Sequence, residues 1–197
     1  MTEPLIFQHG VAATTFDVAV GAWLAFELVM AVRQRRRIGG RPARDPTGFA
    51  LSAGIAASIF AAVRLGRHGP LLWPGGRIWP VVAGIALIAA GIGLRAWSIA
   101  ALGRFFQYRI EVQAGHRVVT DGPYRYVRHP SYSGMALVLC GIGLATGDVL
   151  SLVAVAILGG AGLAVRIRAE ERQLVQALGA PYERFAAKRR RLVPGVW

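Results

Sequence analysis

The chain is short of three things: thiols, lysines and acids. Among its 197 residues, Cys140 is the single cysteine, and Asp and Glu number 10 against 23 Lys and Arg. One cysteine excludes a disulfide framework and a cysteine-ligated metal cluster, and leaves the redox compartment unread. Lys188 is the single lysine, and this arginine bias, with abundant Ala and Gly, points to a GC-rich bacterial genome. The shortage of acids leaves a net charge of +13 on a chain that is 54% hydrophobic, with a mean hydropathy of +0.45. Such a pairing excludes most soluble folds. Its pattern is that of an integral membrane protein, in which long uncharged runs alternate with arginine clusters.

Five apolar stretches are expected to be helical, at about residues 11–32, 48–63, 80–102, 131–146 and 149–166, giving an all-α membrane bundle of about five transmembrane helices. Gly147 and Asp148 leave room only for a tight turn, so the last two stretches form a helical hairpin. The opening MTEPLIFQHG carries Glu3 and no basic residue, the wrong flank for a cleaved signal, so the first span is retained. With the N-terminus outside, 19 of the 23 basic residues fall on the cytoplasmic side, as the positive-inside rule requires. The expected location is therefore a bacterial inner membrane, multi-pass, with the C-terminus cytoplasmic. Residues 1–79 would form an N-terminal pair of spans and 80–197 the functional core.

The arginines flank apolar spans and do not form a basic face with interleaved stacking aromatics, which argues against a nucleic-acid partner. They suit anionic lipid headgroups, each worth about 1 kcal/mol near the surface. No obligate protein partner is implied. Within the first span, Asp17 and Glu27 are costly in lipid and are expected to face the bundle or reach an interface.

The informative half begins at Arg95. Tyr108 to Val112 reads as a short extended stretch before a Gly115-His116 turn, and residues 121–123 (Asp-Gly-Pro) as a second turn. Three tyrosines, Tyr124, Tyr126 and Tyr132, then surround Arg125, Arg128, His129 and Pro130. Pro130 can open the fourth helix as its first-turn proline, which places His129 at a helix mouth able to hold a carboxylate. Further on, Arg166 stands four residues before Glu170, so the two can pair on one helix face, with Glu171 adjacent. The hairpin returns Glu170 to the depth of His129. Carboxylates for an amine, a helix mouth or histidine for a carboxylate and tyrosine faces for a cation would together suit a zwitterion such as S-adenosylmethionine.

Three ordered segments, GHRVVTDGPYRYVRHPSYSG, RIRAEERQL and GAPYERFAAKRRRLVPG, together resemble the isoprenylcysteine carboxyl methyltransferase family, the phospholipid-methyltransferase-like integral membrane methyltransferases. The resemblance covers about residues 95–195 and implies a five-span prokaryotic form that binds S-adenosylmethionine in a cytoplasm-facing pocket. It implies that His116, Arg117, Val118 and Val119 form a pocket wall, and that Tyr124, His129, Pro130, Ser131 and Tyr132 contact the cofactor. Glu170 is similar to the cofactor-binding acid, with Glu171 its neighbour, and Arg166 to the residue facing the acceptor carboxylate. No metal is implied. The acceptor expected from the resemblance is a lipophilic, isoprenylcysteine-like carboxylate; phospholipid N-methylation, thiol S-methylation and a non-catalytic lipid-binding role are the alternatives.

Overall fold

The computed structural model describes residues 5–8, 10–38, 45–68, 71–74, 78–106 and 118–195. Six α-helices follow one another: α1 Val11–Ile38, α2 Pro46–His68, α3 Ile78–Leu102, α4 Pro130–Ala145, α5 Val149–Leu178 and α6 Ala180–Ala187. Four of them, α1, α2, α3 and α5, are long and apolar enough to cross a membrane. The expected fifth span is shorter. α4 has 16 residues, about 24 Å at 1.5 Å per residue, against a hydrocarbon core of about 30 Å. Its first turns line the cavity in which the functional residues gather.

The sequence reading closed the last span at Arg166, where charges begin. The helix does not stop there. RIRAEERQLVQAL is built of strong helix formers, so α5 continues to Leu178 and carries Glu170 and Glu171 on the same rigid rod as its apolar half. Gly179, at φ +57°, takes a backbone conformation that glycine adopts readily and turns the chain into α6.

α3 and α4 run antiparallel with their backbones in contact. A Cβ added at Gly91 would lie 2.5 Å from the Gly134 carbonyl, and one at Gly84 would lie 2.6 Å from the Gly141 carbonyl. Two glycine pairs thus set the approach, in the manner of small-residue seams in membrane helices. α2 lies on α5 through Gly54 and Gly162, and the main core gathers Ile88, Val138, Leu139, Ile142, Val155, Leu163 and Ile167 between these pairs. At the hairpin tip Gly147 turns at φ +76°, and Asp148 caps α5 by accepting from the Ser151 N–H at 2.9 Å. The same side chain accepts from the Leu71 N–H at 3.2 Å, tying the α2–α3 connection to the tip.

α1 stands apart from this core. It leans on α3, inserts Trp23 into the core and leaves most of its remaining surface exposed, Asp17 included. Glu27 points inward and meets Arg95 of α3, so the two charges that interrupt apolar helices neutralise one another. That outcome fits the high penalty on lone charges at such depth.

Candidate active site

α3 and α5 end, and α2 and α4 begin, at one end of the bundle, and the chemistry collects there. His129 precedes Pro130, the first residue of α4, and adopts φ −126°, ψ 58°, outside the helical region as a pre-proline residue should be. Its backbone N–H and that of Arg128 are satisfied by a distant strap of chain: Arg128 N–H donates to the Arg190 carbonyl at 2.8 Å and His129 N–H to the Arg191 carbonyl at 3.0 Å. The Ser133 hydroxyl donates to the Leu192 carbonyl at 2.6 Å. Residues 190–192 are therefore stitched along the approach to α4.

The two adjacent glutamates of α5 are not equivalent. Glu171 is held by two arginines, Arg128 at 2.8 Å and Arg191 at 2.9 Å, and by the His129 ring nitrogen at 3.3 Å. Glu170 has a different partner. The Tyr132 hydroxyl donates to its carboxylate at 2.7 Å, and among the described residues no Lys, Arg or His forms an ion pair with it. Glu170 also lines the cavity of this end, whereas Glu171 stands behind the wall.

Arg166 is 1% exposed. Its Nε–H donates to the Tyr132 oxygen at 3.2 Å, and its Nη1 donates to Asp45 at 2.6 Å and to Thr47 at 2.9 Å. The expected pairing with Glu170 thus runs through Tyr132, which receives from Arg166 and gives to Glu170. Arg166 is not among the cavity-lining residues. Its reach to the cavity is one hydrogen bond long.

Asp45 lies just before α2. Burial alone would raise its carboxyl; the Gly48 N–H, the Arg166 guanidinium and the Thr47 hydroxyl outweigh that and hold it below the ordinary aspartate value of 3.8. A depressed folded value means that Asp45 contributes stability fully above the unfolded pKa and loses it as pH falls through the folded one. The melting-temperature difference between Asp45→Asn and the unaltered chain should accordingly stay constant from pH 7 to pH 5 and shrink only below about pH 4.

The cavity has a volume of about 480 Å³, within the roughly 300–1,000 Å³ range of small-molecule sites. Val118, Val119, Tyr124, Tyr182 and Phe185 form an apolar and aromatic box at one side. Burial pushes the Tyr124 and Tyr182 hydroxyls up, so both stay neutral. His129, Ser131, Tyr132 and Glu170 form a polar middle, and Trp23, Leu24, Leu51, Ile55 and Ile59 form an apolar arm between α1 and α2. Pro130 serves the site from within α4, outside the lining. His116, Arg117, the 108–112 stretch and the Gly115-His116 turn lie outside the described residues.

Several site residues escaped the sequence reading. Glu27 and Arg95 also line the cavity, and two opposite charges in neighbouring apolar helices were the signal that could have paired them. Asp45, Thr47 and Arg191 carried no such signal.

Residues 83–176 match the family model described as the isoprenylcysteine carboxyl methyltransferase (ICMT) family. Over this segment, just under half of its length, the chain is similar to that family. It is 33% identical over 112 residues to protein-S-isoprenylcysteine O-methyltransferase B of Arabidopsis thaliana, covering 56% of the present chain and 57% of that protein. It is 30% identical over 106 residues to protein-S-isoprenylcysteine O-methyltransferase of Schizosaccharomyces pombe, covering 53% of the present chain and 45% of that protein. A bacterial protein, YpbQ of Bacillus subtilis, is 30% identical over 117 residues, covering 59% and 66%. The match therefore spans a little over half the length of the first of these relatives. Within the family segment fall α3 from Ala83, all of α4 and most of α5, including Tyr124, His129, Tyr132, Arg166 and Glu170; α1 and α2 lie before it.

Proposed function

We propose that this chain is an integral membrane methyltransferase that uses S-adenosylmethionine to methylate the carboxyl group of a lipophilic, isoprenylcysteine-like acceptor. The observation that carries the reading is Glu170: a cavity carboxylate whose hydrogen-bond partner is a neutral tyrosine, placed between an aromatic box and an apolar arm. Glu170 is half-buried, and a partly desolvated carboxylate whose partner is uncharged is favoured by the approach of a cation, such as an amine or sulfonium. The relatives' names supply the reaction class.

When bound, the cofactor supplies an electrophilic methyl group on a positive sulfur. Glu170 holds its amine, Tyr132 fixes the Glu170 rotamer, and the box of Val118, Val119 and Tyr124 takes its flat ring. His129 and Ser131 complete the polar middle, and the resemblance assigns His116 and Arg117, with Val118 and Val119, to a pocket wall. Glu171 keeps the His129 ring in place. A carboxylate acceptor is already anionic and requires no general base, so the chain's contribution is to orient and to exclude water. Arg166 is assigned to the acceptor carboxylate. Asp45 is a carboxylate already docked on that guanidinium, and the acceptor would share or replace it. The positive-inside count supports a cytoplasmic face for the site end.

Membranes containing the chain, incubated with methyl-labelled S-adenosylmethionine, should yield lipid-soluble label that mild base releases as methanol. Label that resists base would instead indicate N- or S-methylation. No transfer, together with no binding of S-adenosylhomocysteine by calorimetry, would falsify the proposal.

A further inference from the structure

The apolar arm of the cavity has a wall that the family segment does not contain. Trp23, Leu24 and Glu27 of α1 all line it, and Trp23 and Glu27, four residues apart, share one helix face. α1 leans on α3 and makes little direct contact with α2 across the arm, so packing with α2 does not fix its rotation. Its packing on α3 is joined by a specific polar contact. The Arg95 guanidinium meets Glu27 at both carboxylate oxygens, through Nε to Oε1 and through Nη2 to Oε2 at 2.8 Å. Its third nitrogen, Nη1, donates to the Ser131 hydroxyl at 2.8 Å and to the Ser131 carbonyl at 3.3 Å. One side chain thus joins the acceptor-arm wall to the first turn of α4, beside His129.

We propose that Glu27 and Arg95 are a positioning pair that sets acceptor selectivity: they lock α1 in the rotation that lines the arm with Trp23 and Leu24, at a fixed distance from Ser131 and the polar middle of the cavity. The inference rests on the methyltransferase reading above and adds to it which segment chooses the acceptor. Bidentate arginine–carboxylate geometry fixes orientation as well as distance, and here it adds to the apolar packing of α1 on α3. The donor side of the cavity is built from α5, α6 and the approach to α4. α1 reaches it only indirectly, through Arg95 and Ser131. Changes at Glu27 therefore separate the two ligands.

The experiment measures two dissociation constants in detergent by calorimetry, for S-adenosylhomocysteine and for N-acetyl-S-farnesylcysteine as the acceptor probe, with the unaltered chain, Glu27→Gln and Glu27→Asp. Retained S-adenosylhomocysteine affinity serves as the measure of correct folding. The expected result for Glu27→Gln is probe binding weakened about tenfold or more with S-adenosylhomocysteine affinity within about twofold, and partial recovery of probe binding in Glu27→Asp. Equal losses for both ligands, or a probe affinity indifferent to Glu27, overturn the proposal while leaving the donor site standing. An unaltered chain that binds neither ligand overturns the methyltransferase reading and this proposal together.

Discussion

Glu170→Gln should weaken S-adenosylhomocysteine binding by roughly 10- to 100-fold, the equivalent of losing one hydrogen bond to a charged group, about 1.5–3 kcal/mol. The glutamine keeps the size of the side chain and can still accept from the Tyr132 hydroxyl, so the fold around it is preserved and only the negative charge is removed. Tyr132→Phe offers the matched comparison. It leaves the Glu170 charge but takes away the hydroxyl that receives from Arg166 and gives to Glu170, and its effect on the same dissociation constant should be smaller. Glu171→Gln should act differently again, because its carboxylate serves Arg128, Arg191 and His129. Its expected signature is a loss of thermal stability. Calorimetry and thermal unfolding of the three variants distinguish a ligand group from a scaffold group; equal binding losses for Glu170→Gln and Glu171→Gln at unchanged stability would contradict that division.

Gly91→Leu should have the largest effect on folding. Its first side-chain carbon would lie 2.5 Å from the Gly134 carbonyl and 2.8 Å from a Val138 methyl, so α3 and α4 must separate before the rest of the leucine is placed. Overpacking of a tight core typically costs about 1–3 kcal/mol, and here the obstruction is backbone on a facing helix, which cannot rotate away. Little monodisperse protein should be recovered in detergent. Gly93→Leu, two residues along the same helix, meets nothing within 4 Å and should elute as the unaltered chain does. Similar elution profiles for the two variants would show that the α3–α4 seam is looser than described.

The bundle was legible in the sequence because its signals are local. Apolar runs of membrane length, a Gly-Asp turn between two of them and a proline at the mouth of another each declare themselves within a few residues. Helix ends were less legible. A hydropathy reading stops α5 at Arg166 and α1 at Val32, because charge ends an apolar run; helix propensity does not end there, and the α5 extension is what carries Glu170 into the cavity. The candidate site was legible residue by residue and obscure in its pairing. Tyr132 meets Glu170 across 38 residues of chain, Arg166 meets Asp45 across 121, and Arg95 meets Glu27 across 68. Such partners are chosen by how separate helices dock, and no spacing rule within a single helix reaches them.

The strap formed by residues 190–192 bears on the order in which the molecule can become competent. The ribosome delivers all the spanning helices before it delivers Arg190, Arg191 and Leu192, so a nascent chain can insert its whole bundle while the backbone N–H groups of Arg128 and His129 still await their carbonyl partners. Membrane insertion and completion of the site are then separate events in synthesis. The second is timed by the arrival of three residues that follow the spanning helices in the chain.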